Sequence, residues 1–130
     1  MNVSPASLNR SYSQRLGWPG SGLMMLLMRI ERWDVRRDGP LSETALRQKL
    51  EERGYEVSAR SYPGGSVSAA PTDAAERAQA VVNGLLKVTI DGESAILTAG
   101  DLVFVPRGAV RRLEVVGPSP ALCLEGAARA

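Results

Sequence analysis

From Gly54 onward the chain alternates between apolar and polar residues. The runs "YEVSARSY", "SVSAA", "RAQAVV", "LLKVTID", "SAIL", "LVFVP", "RRLEVV" and "ALCLE" are eight strand-like segments, most of them separated by Pro, Gly or Asp at intervals near ten residues. Short segments of this kind suit strands, which present one face to a core with a period of two. None of them can bury that face alone, so they must combine into a sandwich or a barrel. Asp91-Gly92, between "KVTI" and "ESAIL", is a strong two-residue hairpin signal, because the tight turn it implies needs positive φ at both positions.

Upstream the pattern is helical. Ser42 is a good N-cap, Glu43 stands in the first turn where the helix dipole favours an acid, and Leu46 and Leu50 share one face. Glu43 with Arg47, and Arg47 with Glu51, are i,i+4 charge pairs, and Gly54 supplies the C-terminal stop. This predicts one helix of about three turns whose job is packing. Residues 1–22, rich in Ser, Asn, Pro and Gly and without a period, read as a flexible arm. The expected organisation is therefore an arm over 1–22, a strand and helix over 23–54, and a β domain over 55–126. A chain of 130 residues suffices for one core and not for two.

The apolar run "GLMMLLMRI", Gly22 to Ile30, is too short to span a bilayer, and no small-residue cleavage pattern follows it. It reads as a buried or dimer-pairing strand, or as an upstream extension of a domain that begins near Met24, Met25 or Met28. A cytoplasmic location and no membrane partner are expected. The net charge of +2 implies no polyanionic partner, and the arginines are scattered rather than interleaved with aromatics, so nucleic acid is not expected either.

The chain has no histidine, which removes the commonest metal ligand and the usual acid–base group near neutral pH. Ser-His and Cys-His nucleophile pairs are excluded with it. Cys123 is the single cysteine, so there is neither a disulfide framework nor a thiolate metal cluster, and its apolar strand suggests a buried, inert thiol. Trp33 in "RIERWD" suits an anchor for the amino-terminal strand or a dimer contact. "YPGGS", Tyr62 to Ser66, is a turn without the helix that a phosphate loop requires.

Two spaced sets of residues carry a family signal. Gly65, Pro71-Thr72-Asp73, Arg77 and Gly84 form the first, and Gly100, Pro106, Gly108, Arg111 and Val115 the second. Their spacing resembles the two motifs of the cupin family, in its small single-domain, type 2 form, over roughly Tyr55 to Glu125. The resemblance implies a mainly β fold, a double-stranded β-helix or jelly-roll barrel, with one preceding α-helix. It also implies that Pro71, Asp73, Arg77 and Arg111 stand where the family places metal ligands. The glycines and Pro106 match the family scaffold, while every ligand position departs from it. Pro71 has no donor atom, and guanidinium groups repel a divalent cation.

No metal and no cofactor are therefore expected. The one oxygen-ligand alternative is a magnesium or manganese site using Asp73 and Glu76, but Glu76 is one residue out of phase with the motif. If Asp73, Arg77 and Arg111 point inward, strand parity carries Val67 and Ala69, and Gln79 and Val81, inward with them. Arg112, next to Arg111, must then face outward. The expected ligand-binding set is Asp73, Arg77, Gln79 and Arg111, and a small anionic molecule fits it, since arginine offers planar paired donors to a carboxylate or phosphate.

Three functions stay open on this reading. The first is a metal-free cupin-type protein that binds a small anion without turnover, in a homodimer. The second is a metal-independent isomerase, cyclase or lyase with Asp73 as base, although a carboxylate beside two cations is a weak base. The third is a degenerate cupin serving as a dimeric structural or interaction module, with Asp73 and Arg77 paired as a satisfied polar plug.

Overall fold

In a computed structural model, residues 28–70 and 75–129 are described. Their elements run β1 (Arg29–Glu31), α1 (Val35–Asp38), α2 (Glu43–Glu52), β2 (Tyr55–Tyr62), β3 (Val67–Ala70), β4 (Arg77–Asn83), β5 (Leu86–Ile90), β6 (Glu93–Leu97), β7 (Leu102–Val105), β8 (Arg111–Val115) and β9 (Ala121–Ala128). The strands form two antiparallel sheets, ordered β1-β7-β4-β9-β2 and β3-β8-β5-β6. This is the mainly β, two-sheet arrangement expected from the strand runs, and the jelly-roll barrel that the resemblance implied. None of the described helices is long and apolar enough to cross a membrane.

The expected helix is α2, with Ser42 as its cap: the Ser42 hydroxyl accepts from the Ala45 N–H at 3.0 Å. Its Leu46 and Leu50 are fully buried against Tyr55, Ala78, Ala80, Leu102, Phe104 and Leu124 on the outer face of the five-stranded sheet. That packing explains a difference between the sheets. In β7 all four residues are buried, because Val103 and Val105 face the other sheet while Leu102 and Phe104 lie on the helix side. In β5, whose outer face no helix covers, buried and half-exposed residues alternate, and in β8 Leu113 and Val115 are buried while Arg112 is exposed. The short helix α1 is not announced by any sequence period. Asp34 caps it, accepting from the Arg36 N–H at 3.0 Å.

The turn between β5 and β6 forms as its residues dictate: Asp91 has φ 49° and Gly92 φ 86°, so both central residues are left-handed. Asp91 also ties this turn to the next loop, where its carboxylate accepts from the Val110 N–H at 3.2 Å. The amino-terminal segment joins the barrel through β1, whose Arg29, Ile30 and Glu31 pair with Phe104, Val103 and Leu102 of β7. Arg53 at the end of α2 makes a two-point ion pair with Glu31, and Lys49 reaches Asp38 at 3.1 Å. Trp33 donates its indole N–H to the Gly39 carbonyl at 2.8 Å and carries Lys49 over its ring. It thus anchors this segment, one of the two roles the sequence suggested. The rest of the apolar run, Leu23 to Leu27, lies outside the described residues, as does the arm.

Candidate functional site

The space between the sheets is apolar over most of its extent, filled by residues such as Leu86, Val88, Leu97, Val103 and Leu113. A polar strip crosses it. Strand pairing places Gln79 of β4 opposite Glu125 of β9, and both turn inward, with Gln79 fully buried and Glu125 9 % exposed. Inside a barrel such groups must find partners or destabilise the fold. Gln79 finds two: its amide N–H donates to Glu125 Oε2 at 3.2 Å, and its carbonyl oxygen accepts from Arg111 NH1 at 2.8 Å. The same Glu125 Oε2 also accepts from the Tyr62 hydroxyl. Arg111, Gln79, Glu125 and Tyr62 therefore form one continuous chain of hydrogen bonds, running from one sheet across to the other.

Electrostatics follow from this burial. Burial pushes the Tyr62 hydroxyl well above its ordinary value, and the hydrogen bond to Glu125 adds to the shift. Cys123, fully buried on the same face of β9, has its thiol pushed up to about 11 by burial, so it remains a thiol at neutral pH. One end of the strip reaches an open cavity of about 460 Å³, whose lining includes Arg77, Glu125, Ser58, Glu56 and Arg129.

The sequence-derived candidates separate in this geometry. Gln79 and Arg111 come together, and Arg77 lies on the same face of β4 as Gln79, half-buried at the cavity. Asp73 and Pro71 lie outside the described residues. Arg112 turns outward, pairing with Glu114 at 3.6 Å. Glu76 accepts from the Tyr55 hydroxyl, and Tyr55 belongs to the layer under α2, so this carboxylate does not enter the barrel. Among the described residues, no three of Cys, Asp and Glu converge in a way that could hold a metal ion. Arg60 is exposed, its guanidinium 5.0 Å from the Tyr62 ring.

One expectation is corrected. Val67 and Ala69 do not face the interior: they pair with Glu114 and Arg112, the outward positions of β8, and Val67 is 51 % exposed. Carrying parity from Asp73 back to Val67 assumes a strand that runs on without a break. β3 instead ends at Ala70 and β4 begins at Arg77, so the two strands do not share a register.

Glu125 and Tyr62 were not among the expected site residues. Glu125 did leave a signal, being the one charged residue in "ALCLEGAA" and two positions from Cys123, hence on the same face. Tyr55 and Tyr62 are seven residues apart in β2, an odd separation, which sends one to the helix layer and the other into the barrel.

Comparison with known proteins agrees with this architecture. A family model described as the cupin domain matches residues 59–125. Similar solved structures include the cupin domain of Schizosaccharomyces pombe Cnp3 (16% identity, TM-score 0.55, covering 61% of this chain and 55% of that one). Another is a predicted oxalate decarboxylase from Thermotoga maritima (15% identity, TM-score 0.54, covering 64% and 74%). A third is KdgF from Halomonas sp. (18% identity, TM-score 0.51, covering 59% and 72%). At these identities the likeness is one of fold. No curated protein matches the sequence. The family model spans just over half of the chain, and the two facing sheets show its barrel: the chain belongs to the cupin family.

Proposed function

We propose that this cupin barrel binds a small anionic molecule without a metal ion. The observation that carries the reading is Arg111. Its guanidinium is brought to the barrel interior on β8 and fixed there by one 2.8 Å hydrogen bond to the buried Gln79. A guanidinium has five N–H donors, and among the described residues this one uses a single donor. A carboxylate or phosphate would take the others in pairs. Arg77, on β4 of the facing sheet, adds a second positive charge at the cavity.

The donor set does not suit the divalent cation that cupin barrels hold. Two of the four positions that correspond to ligands are Arg77 and Arg111, and a third is Pro71. The Arg111 side chain bonds to an amide carbonyl, not to a carboxylate it could exchange for a metal. The similar folds carry names as different as a predicted oxalate decarboxylase and a Cnp3 cupin domain, so fold does not choose the activity and the polar strip must.

The test is calorimetric titration of the purified protein with inorganic phosphate and with propionate, beside Arg111→Ala and Arg111→Lys. Binding by the parent protein that Arg111→Ala abolishes, and that Arg111→Lys weakens because a point charge replaces a planar fork, supports the reading. Equal binding by all three proteins would rule out Arg111 as the anion site.

A further inference from the structure

The five-stranded sheet ends on β2, which pairs with β9 on one side and with no described strand on the other. This edge is eight residues long, against three for β1 at the opposite end of the sheet, and it contains neither proline nor lysine. Between the buried Tyr55 and Tyr62, Val57 is half-buried while Glu56, Ser58, Ala59, Arg60 and Ser61 are exposed. A long exposed edge is a template for a further strand unless it is blunted. One bond tells which backbone groups are free. Where β9 runs past β2, the Arg129 N–H donates to the Gly54 carbonyl at 3.0 Å. Hydrogen-bonded positions recur at every second residue of an antiparallel pair, so Gly54, Glu56, Ser58 and Arg60 bond to β9. Val57, Ala59 and Ser61 therefore turn their N–H and C=O groups outward. The Val57 carbonyl accepts from Arg47 NH1 at 3.0 Å, and its second lone pair leaves room for a strand.

The charges on this edge select its partner. Glu56 and Arg60 lie on one face of β2, two residues on either side of Ser58, and neither has an ion-pair partner among the described residues. We infer that a second copy of this chain pairs with β2, antiparallel and about a two-fold axis at Ser58, joining two five-stranded sheets into one. In this register Val57 exchanges its backbone bonds with Ala59 of the partner subunit, outward group to outward group. Glu56 then stands directly opposite Arg60 of the partner subunit, and the symmetry repeats the pair on the other side of the axis. These are non-hydrogen-bonded positions, where side chains approach most closely. A shift by two residues sets Glu56 opposite Tyr62 or Ser58 and leaves both charges unmatched. Parallel pairing in register sets like charges side by side, which is unfavourable.

The test is sedimentation velocity of the full chain over a concentration series, in which the wild-type protein is expected to reach a dimer. Glu56→Arg and Arg60→Glu each turn both cross-strand pairs from attraction to repulsion, and each is expected to raise the dimer Kd about thirtyfold. Combining the two restores opposite charges, so the double variant is expected to return to within about threefold of wild type. Ser58 meets its own copy on the axis, where Cα atoms of a non-hydrogen-bonded pair lie about 4.5 Å apart. Ser58→Cys is therefore expected to form an intermolecular disulfide under mild oxidation, with the native Cys123 buried and out of reach. A wild-type protein that stays monomeric at every concentration would overturn the inference. A dimer that neither single variant weakens would overturn it too, by assigning the contact to another surface. A double variant as weak as the single ones, or a dimeric Ser58→Cys protein that does not cross-link, would refute the pairing about Ser58.

Discussion

The bond from Arg111 to Gln79 can be tested by a double-mutant cycle that replaces each residue by leucine, singly and together. Gln79→Leu keeps the volume of a fully buried side chain and removes both of its bonds. Both go to ionisable groups, for which a hydrogen bond contributes about 1.5–3 kcal/mol. The bond to Glu125 is buried and should lie within that range, whereas the one to Arg111 is partly exposed to water, which cuts it to about 1 kcal/mol. The expected loss for Gln79→Leu is therefore about 3 kcal/mol, a fall in Tm of roughly 10 °C for a domain of this length. Arg111→Leu alone should cost less, because it leaves only the Gln79 carbonyl oxygen without a donor. The double variant should be more stable than the sum of the two by about 1 kcal/mol, since removing Gln79 no longer leaves Arg111 without its partner. Urea unfolding at pH 7, with the slope held common across the four proteins, measures all three quantities. Additivity within about 0.3 kcal/mol would show that the two side chains do not act as a unit, and the polar strip would lose its first link.

Acid should weaken the junction between α2 and the amino-terminal segment. Burial disfavours a charged Glu31, but the Arg53 hydrogen bonds and charge, with Lys49 and Arg29 nearby, outweigh it and hold the carboxyl below its ordinary 4.5. Asp38 is likewise held below 3.8: slight burial raises it, while the Asp34 backbone and Lys49 more than offset the rise. Folded values below the unfolded ones give stability that is present above about pH 4.5 and is lost as pH falls through the folded values, so Glu31→Gln should flatten the acid limb of stability against pH. Gly100 has φ 91°, and a Cβ there would stand 2.8 Å from the Cβ of Trp33. Gly100→Ala should cost about 2 kcal/mol or more in thermal unfolding, and a neutral result would mean that the Trp33 anchor yields freely. Cys123, buried and with its thiol raised, should resist a disulfide reagent at pH 8 until the protein unfolds; rapid modification of the native state would show that the barrel opens at β9.

Much of the barrel could be read from local chemistry. Asp91-Gly92 turns the chain because only left-handed residues close a two-residue hairpin, and Ser42 starts α2 because its hydroxyl reaches the N–H of Ala45. Gly100, Pro106, Gly108 and Arg111 could be placed because motif spacing counts residues within one stretch of chain, where each position follows from the last. Strand parity fails where it is carried from one element to another: counting back from Asp73 turns Val67 and Ala69 inward, whereas the pairing of β3 with β8 sets them opposite the outward Glu114 and Arg112.

The site itself is a matter of cross-strand pairing. From the sequence alone came a run of β-strands after a capped helix and a chain without histidine. The sequence put Gln79 on the same face as Arg77 because parity along a single strand is a local rule, whereas the meeting of Gln79 with Arg111 joins two sheets and belongs to the tertiary structure. That Glu125 stands opposite Gln79, and that Tyr62 closes the same carboxylate from a third strand, depends on how β9 pairs with β4 and β2. Those registers are fixed by the burial of both sheet faces, between the facing sheet and α2, and that burial is a property of the whole fold.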